Sequence, residues 1–152
     1  MLTNDVLTAI EDSVLCWLAT ADKDGFPNVS PKEIFVAHGE STLLIAHIAS
    51  PHSIKNIKQN PKVCVSFVDV FKQKGYKVKG QATLLTQGSA EYQQALPKLH
   101  KLAGDAFVIQ AIIEVSIDSC KAILAPSYLF NPETKQSDQI ASAMQTYGVK
   151  PL

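Results

Sequence analysis

The segment YKVKGQATLL alternates along its length: Tyr76, Val78, Gly80, Ala82 and Leu84 share one face, and Lys77, Lys79, Gln81 and Thr83 the other. A period of two with one polar face belongs to a β-strand covered on a single side. Half-covered strands occur in antiparallel sheets, so the rest of the chain has to supply antiparallel partners. Gly80, inside this pattern, predicts a sharp local bend.

The partners are legible on both sides of it. VLCWLATA and FPNVSPKEIFV read as two strands joined by DKDG, where Asp24 and Gly25 make a hairpin turn. Pro27 and Pro31 cannot donate to a ladder, which places the second strand at an edge or a bulge. TLLIAHIA is apolar on both faces apart from His47, KVCVSFVDVF follows Pro61, and VIQAIIEVSID and CKAILAP read as two further strands. Helical spacing marks TNDVLTAIED, a short helix from Ser50 and Pro51, and Ser89 to Leu102, with Pro97 expected to kink or split it. A last helix is capped by Ser137 or Asp138, carries Ile140, Met144 and Tyr147 on one stripe, and stops at Gly148.

Most connections are of hairpin length, so the fold class is mainly β and antiparallel. This many curved strands in one small domain, residues 1–152, imply a closed or split β-barrel with short helices at its rim and a C-terminal helix. Side chains fill a barrel of this size. A ligand of more than a few atoms therefore binds outside it, at the rim, or between two copies of the chain.

Composition removes several functions. A net charge of zero provides no field for nucleic acid. The cations are all lysine, so no guanidinium fork exists to grip a carboxylate or phosphate, and an anion has to be held by Lys, hydroxyls and backbone N–H. Cys16, Cys64 and Cys120 are odd in number and lie in apolar segments, as reduced thiols of a cytoplasmic protein do. Neither a leader pattern nor a membrane-length apolar run occurs, which again points to the cytoplasm. The histidines lack partners at metal-ligand spacing, and no dinucleotide, P-loop or hydrolase-elbow motif is present.

The chemistry concentrates in IASPHSIKNIKQNPKV. With Ser50 as N-cap and Pro51 at the first helical position, the helix presents free N–H groups ringed by His52, Ser53 and Lys55, the makings of a phosphate site. Ser30 and Lys32, two apart on one strand face, could reach the same anion. Taken alone, the stretch fits an ordinary Ser-Pro helix cap with solvated lysines better. His47 reads either as a satisfied core histidine or as a hydrogen-bonding partner for a polar cofactor edge. Lys74, Gly75 and Tyr76 read either as a solvated strand end or as an exposed turn that reaches a ligand held by a second subunit.

In order and spacing, VLCWLATADKDGFPNVSPKEIFV, TLLIAHIASPHSIKNIKQNPKVCVSF and KGYKVKGQATLL resemble the FMN-binding split-barrel family related to pyridoxamine 5′-phosphate oxidase, from about Val14 to Leu85. The resemblance implies a homodimer with FMN at the subunit interface. It implies that Ser30, Pro31, Lys32 and Glu33 lie along the flavin ring and ribityl chain, with Ala46, His47, Ile48 and Ser50 adding contacts. His52, Ser53 and Lys55 would hold the phosphate, and Lys74 and Gly75 would arrive from the partner chain.

Two departures from the family pattern stand out. Where relatives often carry an arginine or lysine pair after the third strand, this chain has Pro51, His52 and Ser53, so the charge for phosphate has to come from Lys32 or Lys55 and from the helix N-terminus. The C-terminal arginine and histidine that bind pyridoxamine phosphate are missing from YGVKPL, which argues against that substrate. The resulting expectation is an FMN-dependent oxidoreductase of unassigned substrate. A flavin carrier or sensor is the alternative, as is a split barrel holding haem or a deazaflavin, with His47 and His52 as candidate axial ligands.

Overall fold

A computed structural model describes residues 2–152. Its elements are α1 (Asn4–Asp12), β1 (Cys16–Ala21), β2 (Pro27–Lys32), β3 (Phe35–His38), β4 (Thr42–His47), α2 (Pro51–Gln59), β5 (Lys62–Asp69), β6 (Lys74–Thr86), α3 (Ala90–Ala103), β7 (Ala111–Leu124), α4 (Pro126–Phe130) and α5 (Gln136–Tyr147). The seven strands form one sheet in the order β2-β1-β5-β6-β7-β4-β3, with every pairing antiparallel.

The two edge strands are neighbours in sequence, which dictates the shape. Laid flat, seven strands would hold their outer members about 29 Å apart. Only Glu33 and Ile34 join β2 to β3, and such a link spans at most about 11 Å. The sheet must therefore roll until its edges meet, leaving a seam between β2 and β3 where no ladder forms. This is the split barrel implied by the sequence. FPNVSPKEIFV is accordingly two strands rather than the single returning strand expected, because its halves pair with β1 and β4 at opposite ends of the sheet.

Inside the roll lie Cys16, Leu18, Phe35, Leu43, Ile45, Val65, Phe67, Val78 and Val115, closed at the ends by Val6 and Ile10 of α1 and Ile57 of α2. A second cluster explains why β4 is apolar on both faces. Leu43 and Ile45 point inward, while Leu44 and Ala46 point outward against Tyr92, Ala95 and Leu99 of α3. Pro97 leaves α3 unbroken. It and Gln93, whose carbonyl loses its N–H partner, are both exposed, so solvent satisfies the gap while Tyr92 and Leu99 hold the helix on either side.

β7 runs through both segments expected as separate strands, because its polar centre lies on an uncovered face that needs no apolar residues. The predicted irregularity at Gly80 is present as a register shift between Lys79 and Gly80; a Cβ on Gly80 would stand 2.0 Å from the Ser116 carbonyl oxygen. The β5–β6 turn occupies residues 70–73, two residues before the KQKG segment at 72–75 where it is expected, and Gln73, at φ 52°, takes its left-handed position. Gly75 is a buried strand residue, glycine because a Cβ would meet the Phe67 carbonyl oxygen at 2.0 Å. Lys135 caps α5 in place of Ser137 or Asp138, whereas Gly148 ends it in the left-handed conformation as predicted.

Candidate functional site

β2, the end of β4 and the start of α2 converge at the seam. Pro51 occupies the first turn of α2 and Ser50 is its N-cap, but the Ser50 side chain caps nothing. Lys32 Nζ donates to Ser50 Oγ at 2.5 Å, and Ser50 Oγ lies 3.1 Å from His47 Nδ1. The Ser50 backbone N–H also donates to Nδ1, at 3.4 Å. Nδ1 is therefore the accepting nitrogen, which leaves the proton of the neutral ring on Nε2 and makes the Ser50 hydroxyl the donor to Nδ1.

With Ser50 engaged elsewhere and no acidic residue in its first turn, α2 keeps its N-terminal N–H groups and their partial positive charge free for an anion. An ordinary capped helix would not.

Lys32 is 8% exposed, and among the described residues no carboxylate pairs with it. Burial pushes its ammonium below the usual lysine value, against an opposing pull from Cys16 across the β1–β2 pair. His47 is also buried; burial and then the Lys32 charge hold its imidazole below the ordinary histidine value. Lys32 opens into a cleft of about 270 Å³ lined by Pro31, Glu33, Ile34, Ala46, Ile48, Ala49 and Phe107. His47 lines a different cleft, of about 340 Å³, with Pro51, Ile54, Lys55, Lys58 and Gln59.

Most residues expected at the site from the sequence thus gather here: Ser30, Pro31, Lys32 and Glu33 from β2 and its end, Ala46 to Ser50 from β4 onward, and His52, Ser53 and Lys55 from α2. Their exposure divides them. His52 and Lys55 are exposed, whereas Ser53 is fully buried and bonds Ser30 Oγ at 2.9 Å and Asn28 Nδ2 at 3.4 Å, so it ties α2 to β2 instead of facing a groove. Lys74 and Gly75 lie elsewhere in the same chain, beside a third cleft of about 360 Å³ with Asp12, Asp69 and Lys72. There Lys74 stands 4.3 Å from the Tyr128 ring centroid, and Tyr128 donates to the Lys72 carbonyl.

Asn28, Ile34 and Phe107 were missed by the sequence reading. Asn28 could have been found by the two-residue period of β2; Phe107 comes from the α3–β7 loop and carries no local signal.

A profile described as pyridoxamine 5′-phosphate oxidase matches residues 2–119. The chain belongs to this family. As a member of the pyridoxamine 5′-phosphate oxidase family it is similar to an uncharacterized protein of Methanocaldococcus jannaschii, at 33% identity over 102 residues, a match spanning 66% of each chain and thus just under two thirds of that relative's length. HupZ of Group A Streptococcus is 26% identical over 79% of this chain and 92% of its own, with a TM-score of 0.68. An FMN-binding protein from Syntrophomonas wolfei shares the fold at a TM-score of 0.70 and 14% identity, over 82% of this chain and 87% of its own. The heme storage protein HutZ from Vibrio cholerae shares it at 0.62 and 20%, over 81% and 94%. Among the described residues no helix is long and apolar enough to cross a membrane, and no group of three metal-ligating side chains comes together.

Proposed function

We propose that this member of the family is a cytoplasmic FMN-binding protein, a homodimer with the cofactor at the subunit interface, that works as an FMN-dependent oxidoreductase. One observation carries the reading. A buried lysine without a counter-ion stands beside a helix N-terminus whose cap has turned away from its own N–H groups. The helix start favours a cofactor phosphate, an anion with three acceptor oxygens, and the lysine favours the acceptor atoms at the edge of a flavin ring.

The residues present fit the cofactor. The N–H groups of α2, His52 and Lys55 would hold the phosphate, and Pro31, Ala46 and Ile48 would offer apolar surface to the ring, with Lys32 at its polar edge. Lys74 and Gly75, remote from the cleft in their own chain, would come from the second subunit. Bound flavin supplies hydride-accepting chemistry, while the chain orients ligands, excludes water and handles protons.

The test is a visible spectrum of the purified protein after FMN is added and unbound flavin removed by desalting. Retained flavin bands are expected, and steady consumption of a nicotinamide donor in the presence of an electron acceptor would separate an enzyme from a carrier. A protein that refuses FMN overturns the reading. A Soret band after haem addition would replace it with the haem alternative, in which His47 and His52 are the candidate axial ligands.

A further inference from the structure

We propose that Lys32, Ser50 and His47 form a proton-transfer chain that links the cleft at Lys32 to the separate cleft at His47. The inference rests on reading the Lys32 cleft as the ligand site. Its physical basis is continuity: Lys32 Nζ to Ser50 Oγ is 2.5 Å and Ser50 Oγ to His47 Nδ1 is 3.1 Å, with Lys32 lining one cleft and His47 the other. The donors point in one direction, from Lys32 through Ser50 to His47.

A proton follows that direction. Lys32 releases a proton to Ser50 Oγ as the Ser50 hydroxyl proton passes to His47 Nδ1, and the imidazolium then gives its Nε2 proton to water in the outer cleft. Lys32, left as the neutral amine, takes a proton from an N–H or O–H of the ligand being oxidised, while the electron pair of that oxidation goes to the flavin. Exchange with water restores the Nε2–H tautomer. One proton has moved from ligand to bulk without opening the ligand cleft.

Titratable and charged groups face the chain at both ends. Cys16 of β1 faces Lys32, Glu33 follows it in the chain, and Lys55 and Lys58 of α2 share the outer cleft with His47. Burial lowers the proton affinity of Lys32, which favours release of its proton, and that of His47, so the imidazolium does not hold the proton it receives.

The experiment uses the cofactor-free protein, labelled with 15N in lysine and histidine, and measures by NMR the exchange of the Lys32 ammonium protons with water and the tautomer of His47. Ser50→Ala is expected to slow Lys32 exchange about tenfold while His47 keeps its Nε2–H tautomer through the backbone N–H of residue 50, whereas Ser50→Thr, which keeps the hydroxyl, retains wild-type exchange. His47→Gln, which cannot titrate, should slow exchange as Ser50→Ala does, and it serves should Ser50→Ala fail to fold. Wild-type exchange rates in folded Ser50→Ala or His47→Gln overturn the chain. FMN titration of the wild-type protein decides the ligand reading independently: a relay dependent on Ser50 in a protein that refuses FMN would keep the chain and discard the ligand.

Discussion

Ser50 heads helix α2, yet its hydroxyl accepts from Lys32 Nζ at 2.5 Å instead of capping the helix it begins. The helix gives up its cap and the barrel buries a cation, and each is a cost that an anion would offset. Lys32→Met should therefore raise the melting temperature of the cofactor-free protein, by about 2–4 °C for a gain on the order of 1 kcal/mol. The same change should weaken FMN binding about tenfold. Thermal melts with and without FMN check both, and a lower melting temperature without FMN would mean that Lys32 is already satisfied.

His47 gives the fold a dependence on acid. Its folded pKa lies below the ordinary 6.5 because of burial and the Lys32 charge. Between the two values the unfolded chain holds the proton and the folded chain does not, so stability rises with pH through that window and falls on acidification. His47→Gln should flatten this part of the curve. Urea midpoints measured from pH 5 to pH 7 in both proteins provide the comparison, and parallel curves would remove His47 as the cause.

The sequence carried the antiparallel strands and the rolled sheet, because alternation and hairpin-length links are local signals. It carried most residues of the cleft for the same reason: they lie in two runs, Ser30 to Glu33 and Ala46 to Lys55. What it could not carry depended on pairing at a distance. The break between β2 and β3 follows from their partners at opposite ends of the sheet, and the continuity of β7 from β6 beside it. The orientation of Ser50 was equally hidden. A serine followed by proline looks the same whether it caps its helix or bonds a lysine 18 residues earlier.

Two glycines test the close approach of strands. In Gly80→Ala the new Cβ would stand 2.0 Å from the Ser116 carbonyl oxygen, and in Gly75→Ala 2.0 Å from that of Phe67; both neighbours are backbone, which cannot swing aside. Each should cost about 3 kcal/mol or more. Gly25→Ala, at φ +86° with nothing within 4 Å, should cost only about 1 kcal/mol from backbone strain. Denaturant titration of the three gives the order, and an equal loss at all three would contradict the packing.

Cys16 should be chemically silent in the folded protein. It is fully buried, and burial pushes its thiol up to about 12 despite the nearby Lys32 charge, so at neutral pH neither thiolate nor access is available. Labelling with a thiol reagent at pH 8, read by mass spectrometry, should modify Cys16 only as fast as the chain unfolds. Above pH 9 the unfolded thiol ionises first, so this residue also lowers stability as pH rises from 9.0 toward 12.

The outer face of β1 and β2 carries the prediction about assembly. Trp17 is 47% exposed and Val29 54%, and Trp17 lies directly across from Pro31, a wall of the cleft at Lys32. Cys64 shares this face, opposite Ala19. If the second copy of the proposed homodimer covers this face, assembly and cofactor binding are one event, because the surface that buries Trp17 also closes the cleft. Trp17→Asp should then convert a dimer into a monomer by sedimentation, weaken FMN binding in parallel, and expose Cys64 to thiol reagents that the dimer excludes. A monomer that binds FMN as the wild-type protein does would place the cofactor wholly within one chain and leave Lys74 and Gly75 without a role in holding it.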